Sequence, residues 1–399
     1  MNACDASAVR LCVWDSPAAV PEEPWRDCLM DSDTNEPTLS PEWLQTWWEV
    51  FGSLQGRRGC LIGFYRQDRL IGLAPLLQRT AWFGGFLPLR RFEVLASGER
   101  SWEAICSDYV NILARRGEEP AVATALLSWL ANDCRDSWDE LCIPLANGDS
   151  KMSSLLVETA DRFSLHGELQ TVTRAPYIPL PATWEEYLRQ LSGDARYLVQ
   201  RSLRDFDRWA NGSSRIHVAD TPARLEEGQQ ILYRLHRQRW QGQGGVFRAA
   251  RFLAFHEKLM PRLLRAGALE LLWLTVRGDP VAALYNIVWS NKTSMYQCGR
   301  KLDVPARIRP GGVLMYNAIR RSIEARRREF DFLGGEVRYK KQLAPTSRPI
   351  VEVRLARPGS RNWLRGRLLA CKAALRPFYH WLRGRRSAVT LSSDSKDAD

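Results

Sequence analysis

The sequence predicts a mixed α/β protein of the α+β kind, with two tandem domains built on mixed, mostly antiparallel sheets and a basic helical tail. Three observations carry that expectation. One order of elements is read twice along the 399 residues: strand, two helices, three antiparallel strands, helix, strand, helix, strand. Within it a hairpin recurs, from Leu61 to Leu77 around Gln67-Asp68 and from Leu271 to Trp289 around Gly278-Asp279. A shift of 211 positions superposes Arg66 on Arg277, Asp68 on Asp279 and Leu73 on Leu284. Finally, residues 354–386 hold ten basic residues (nine Arg and Lys372) and no acid, which sets a tail apart from the body.

In the first half, residues 8–14 alternate as a strand, and helices are expected at 22–30 and 40–51. A hairpin over 60–77 follows, then strands near 92–96 and 108–113, a helix at 118–133, a strand at 139–145 and a helix at 150–164. Residues 183–211 read as two helices. The second is strongly basic (Arg196, Arg201, Arg204, Arg208), but interleaved Asp194, Asp205 and Asp207 suit a solvated, salt-bridged face. In the second half Arg215–Ala219 alternates as a short strand. Thr221 caps, and Pro222 opens, a helix running through Trp240. Another helix spans 251–266 and stops at Gly267. Strands are expected at 269–276, 280–289 and 293–298, a helix from Pro310 to about Arg327, a strand at 329–333, a short helix at 336–343 and a last strand at 350–355. The division that results is 1–180, a helical connector 181–212, 213–356, and a tail 357–399 whose acidic end is expected to be disordered.

Apolar residues make up 45% and charged residues 26%, the balance of a globular protein. The net charge of +12 belongs to the tail, and the body is nearly neutral. Nine Cys stand singly with no Cys-x-x-Cys pair, and five His never fall at metal-ligand spacing, so neither a zinc site nor a disulfide framework is indicated. Asp5 and Arg10 interrupt what would be the core of an export signal, and no stretch is long and apolar enough to span a membrane. A cytoplasmic protein is expected, peripheral at the inner face of the membrane if the tail lies on lipid.

Several segments resemble the CelD/BcsL-type GNAT acetyltransferases associated with cellulose and exopolysaccharide loci, tandem-GNAT relatives of the Fem-type transferases. They are Pro41-Glu42-Trp43-Leu44 with Trp47-Trp48, Gly72-Leu73-Ala74-Pro75-Leu76, Asp108-Tyr109, Leu235 to Trp240, Pro310 to Leu314, and Asp331-Phe332-Leu333 followed by Tyr339-Lys340. The resemblance spans roughly residues 8–355. It implies two GNAT-like domains and transfer of an acyl group from acetyl-CoA or another acyl-CoA, without a metal, to the amine or hydroxyl of a small-molecule or saccharide acceptor. The cofactor is expected in the second domain alone, because Glu118 and Glu119 stand where the first domain would need to hold a phosphate. Fem-like transfer from aminoacyl-tRNA and an inactive scaffold in a polysaccharide-synthesis complex are the alternatives. Nucleic acid is not expected as a partner.

A helix N-terminus offers free amides and the positive end of its dipole. Glycines there let a phosphate approach, so Arg307, Arg309, Gly311 and Gly312 are the expected pyrophosphate site. The match to the family loop is imperfect, since Pro310 stands at its first glycine position counted from Arg307. Acyl transfer needs a base for the nucleophile and an acid for the leaving thiolate. Tyr339, Glu336 and His236 are the candidates, with Asp331, Arg239, Trp240 and Lys340 as substrate contacts. Trp43, Trp47 and Trp48 at helical spacing read as core. In the tail, Trp363, Leu364, Leu368, Leu375, Phe378, Tyr379 and Leu382 recur among cations. Residues 357–386 therefore either lie on an anionic membrane or a polysaccharide synthase, or pack on the domain.

Overall fold

The computed structural model describes residues 8–54, 56–239 and 246–370. The first half of the chain supplies β1 (Val9–Trp14), α1 (Glu22–Met30), α2 (Pro41–Phe51), β2 (Arg58–Arg66), β3 (Arg69–Phe83) and β4 (Leu87–Val94). It continues with β5 (Leu113–Ala114), α3 (Glu119–Ala131), β6 (Glu140–Asn147), α4 (Lys151–Ala160) and β7 (His166–Pro179). The connector is α5 (Trp184–Gln190) and α6 (Gly193–Ala210). The second half supplies β8 (Ser214–Val218), α7 (Pro222–Arg239), α8 (Ala250–Arg265), β9 (Leu269–Val276), β10 (Asp279–Trp289) and β11 (Lys292–Arg300). It ends with α9 (Pro310–Glu324), β12 (Glu329–Asp331), α10 (Arg338–Leu343) and β13 (Thr346–Ala356), and a further helix is described over 360–370.

Local chemistry explains most boundaries. Ser40 accepts a hydrogen bond from the Trp43 amide with Pro41 in the first turn of α2, and Thr183 with Glu186 forms a reciprocal capping box on α5. The basic helix α6 carries Arg201 and Arg208 against Asp205, the solvated pairing its sequence suggests. Trp43 and Trp47 are buried core residues of α2, with Trp43 edge-on to Phe255 of α8. Each such burial contributes on the order of 2–3 kcal/mol.

All strands join one sheet in the order β1-β2-β3-β4-β6-β13-β7-β12-β11-β10-β9-β8, with β5 paired to β3. Among the described strands only β4–β6 and β11–β12 are parallel. The order is a near-palindrome whose last strands are exchanged. β13, from the end of the chain, lies beside β6 of the first half, and β7, from the first half, lies beside β12 of the second. β7 and β13 pair along eleven positions and form the central seam. One apolar core fills the face covered by α1, α2, α7 and α8. On the opposite face α3 and α4 cover the first half, while α5, α6 and α9 cover the second.

Two expectations change. Residues 166–179 form a long strand that the polar run Glu168-Leu169-Gln170-Thr171 did not announce, and the strand expected at 108–113 is reduced to β5. The hairpin repeat is real, but its offset is 210. Ile71 bulges out of β3 between Gly72 and Leu70, and Val281 bulges out of β10 between Ala282 and Pro280. Matching identities at 211 pairs residues of opposite faces, because side chains alternate along a strand.

Candidate active site

Two strands running side by side separate early. β11 pairs with β12 only from Lys292/Glu329 to Ser294/Asp331, after which β12 ends and β11 continues to Arg300. Beyond Ser294, β11 also carries an extra residue, Tyr296, which is skipped in its register with β10. The resulting splay opens a cavity of about 390 Å³. Its walls are β11 (Met295, Cys298, Arg300), the first turns of α9 and one side of α10, with Ala195 and Leu198 of α6 closing it.

The N-terminus of α9 faces this cavity through Arg309, Gly311 and Gly312. No side chain caps it, and helix geometry leaves the Gly311 and Gly312 amides without intrahelical acceptors. A Cβ on Gly311 would stand 3.5 Å from Arg300, and one on Gly312 would stand 3.4 Å from the Tyr316 hydroxyl. Both are ordinary contacts, so the packing of the chain itself does not demand glycine here. The free space favours what approaches from the cavity, and with Arg300 and Arg309 alongside, the site fits a pyrophosphate. Arg307 is exposed and absent from the cavity wall.

Of the other expected site residues, Tyr339 and Arg239 line the cavity, and Arg239 Nη1 lies 2.9 Å from Cys298 Sγ. Burial raises the Tyr339 phenol well above its ordinary value, so it is a protonated donor at neutral pH. Glu336 does not join them. It is exposed on the loop before α10 and pairs with Lys341 at 2.9 Å. His236 is enclosed under Phe247, and burial, then Arg239, pushes its imidazole down to about 4. That ring is neutral and a poor proton acceptor. Trp240 lies outside the described residues.

Asp331 and Lys340 shape the site from within. Asp331 is fully buried and accepts from the Tyr109 hydroxyl at 2.8 Å and the Leu333 amide at 2.7 Å, with Lys292 Nζ 3.7 Å away. Lys340 Nζ donates to the Leu333 and Gly334 carbonyls at 3.2 and 2.8 Å. Neither faces the cavity as a substrate contact. Tyr109 and Leu333 both hold left-handed backbones (φ 69° and 57°), a conformation that costs a non-glycine residue about 1–3 kcal/mol. Both are fixed on the same carboxylate.

Sequence reasoning assigned no role to the group that reaches the splay from the other side. Asp108, on the loop before β5, accepts from the Gly334 amide at 2.6 Å. Burial raises its carboxyl, helped by Asp331 and opposed by that amide and Lys340, up to about 6. A crevice of about 10 Å³ borders it between Ser294, Tyr296 and Leu333, enough for one water. Behind it Glu36 takes both its carboxylate oxygens to Lys292 Nζ at 2.7 Å. The first half thus supplies Glu36, Asp108 and Tyr109 to a polar cluster behind the splay, bordering this crevice and not the cavity itself. Among the described residues no His, Cys, Asp and Glu group is placed to hold a metal.

A splayed parallel strand pair with a helix N-terminus at its mouth defines a GNAT-type fold, here built twice into one sheet. Residues 193–341 match the family model of the acetyltransferase (GNAT) domain. The solved structure of FemX resembles the chain at 10% identity and a TM-score of 0.55, covering 83% of this chain and 96% of that one. A conserved protein of unknown function from Bacteroides thetaiotaomicron resembles it at 13% identity and a TM-score of 0.51, covering 88% and 100%. No curated protein sequence matches. Residues 193–341 thus form an acetyltransferase (GNAT) domain, and the chain that carries it is an acyltransferase.

Proposed function

We propose that the donor is an acyl-coenzyme A held at the N-terminus of α9, and that the acceptor is an amine or hydroxyl of a saccharide, nucleotide-sugar or other cell-envelope molecule. The cavity whose mouth is the Arg309-Gly311-Gly312 turn carries the reading of the donor. The resemblance of Leu235 to Trp240 and Pro310 to Leu314 to the exopolysaccharide-associated acetyltransferases supports the class of acceptor. When bound, the donor supplies an activated thioester carbonyl and a thiolate leaving group. The Gly311 and Gly312 amides and Arg309 hold its pyrophosphate. Tyr339, kept protonated by burial, gives its proton to the departing sulfur. Asp108 takes the proton of the acceptor through one water in the crevice beside it. The acceptor attacks directly, with no covalent enzyme intermediate.

Calorimetric titration of acetyl-coenzyme A tests the donor and separates it from aminoacyl-tRNA and from an inactive scaffold. Wild type should bind, whereas Gly312→Val and Arg309→Ala should bind more weakly with little change in melting temperature. Loss of the charged hydrogen bond of Arg309 is worth about 1–3 kcal/mol and should shrink at high salt. Equal binding by wild type and both variants would place the phosphate site elsewhere.

A further inference from the structure

The hairpin of β3 and β4 ends in Trp82-Phe83-Gly84-Gly85-Phe86, with both glycines at positive φ (62° and 81°). Trp82 is 62% exposed and Phe86 is 60% exposed. Next to this tip lies the helix over 360–370, whose inner side is tied down. Asn362 donates to the Asp139 carbonyl at 2.6 Å, Arg361 reaches the Asp139 carboxylate at 3.0 Å, and the Arg365 guanidinium sits 5.2 Å over the Phe83 ring. Its outward side carries Trp363, 67% exposed, with Leu364 and Leu369 also exposed. Three of the five exposed aromatic residues among the described residues therefore gather at this end of the molecule.

Cations lie along and beside the helix. Arg367 lies over the Trp363 ring, and Arg135, Arg162 and Arg357, the last paired with Asp136 at 3.0 Å, line an open cleft of about 570 Å³ beside the start of the helix. Past Ala370 the sequence adds Lys372, Arg376, Arg383, Arg385 and Arg386 before its first acid, Asp394. Aromatic rings seat at the headgroup level of a bilayer and flanking Arg and Lys meet its phosphates. Each such cation contributes about 1 kcal/mol near an anionic leaflet. Leu364 and Leu369 favour lipid over nucleic acid, because aliphatic side chains give bases nothing to stack on.

We infer that the β3–β4 tip and the outward side of helix 360–370 together form a docking surface for an anionic lipid membrane. The inference rests on this surface and not on the identity of donor or acceptor. Its test is co-sedimentation of the full chain with phosphatidylglycerol–phosphatidylcholine vesicles, and with phosphatidylcholine vesicles alone. Wild type should pellet with the anionic vesicles only, and less so as salt rises. The double variants Trp82→Ala/Phe86→Ala and Trp363→Ala/Leu364→Ala should each lose about tenfold in vesicle affinity, while their melting temperatures stay near wild type. The second pair tests the helix separately should the hairpin pair fail to fold. Equal recovery with neutral and anionic vesicles, variants that pellet like wild type, or binding of a single-stranded oligonucleotide in place of vesicles would overturn the proposal.

Discussion

In the proposed reaction Asp108 and Tyr339 divide the proton chemistry, and each makes a residue-scale prediction. Activity should depend on the ionised form of Asp108, so kcat/KM should rise with pH through about 6. Asp108→Asn should remove that rise and lower the rate by about 10²–10⁴. The same carboxylate should cost stability. Its folded value lies above the ordinary 3.8. The folded state therefore binds the proton more tightly than the unfolded chain, and stability falls as pH rises from near 4 to about 6. Asp108→Asn should then raise stability at pH 7, by order 1–3 kcal/mol. A variant that loses both activity and stability would make Asp108 a structural group. Tyr339→Phe should slow turnover while leaving acetyl-coenzyme A affinity close to wild type, a split read from kcat against KM. The sequence made the α9 turn legible, since Pro310-Gly311-Gly312 announces itself locally. Asp108 was illegible because its meaning depends on Gly334, 226 positions away, which only the folded sheet brings to it.

Elements were readable wherever local signals were strong. Pro and Thr at helix starts, Gly267 after α8 and the alternating hairpins placed most helices and strands within a few residues. What periodicity could not supply was which strand lies beside which. β7 is mostly polar because its first part borders solvent, where even Leu169 and Val172 are exposed, and its buried residues, Ala175, Pro176 and Ile178, come only toward its end, where β12 joins it on the side away from β13. The exchange of β7 and β13 makes a prediction at this scale. Residues 8–180 produced alone would leave β6 without its outer neighbour and β7 without either partner. The amides of 140–147 should exchange with solvent far faster in that fragment than in the full chain. Comparable protection in both would show that the first half folds without β13.

For the whole molecule, two similar units do not mean two equal sites. In the first half the helix that corresponds to α9 begins at Glu118-Glu119-Pro120, with Glu118 engaged by Arg66 and Glu119 buried. The crevice nearest it measures about 10 Å³. Carboxylates at that position repel a pyrophosphate, so acetyl-coenzyme A should bind with a stoichiometry near one per chain, and a value near two would contradict the assignment. The crossed strands also set a clock on biosynthesis. The partner that completes the edge of β6 begins at Thr346, while β6 ends at Asn147. At about 5–20 residues per second, a ribosome needs roughly 10–40 s to span that interval. For that time the nascent first half carries an open hydrogen-bonding edge outside the exit tunnel, and chaperone occupancy on translating ribosomes should peak over this stretch of the message.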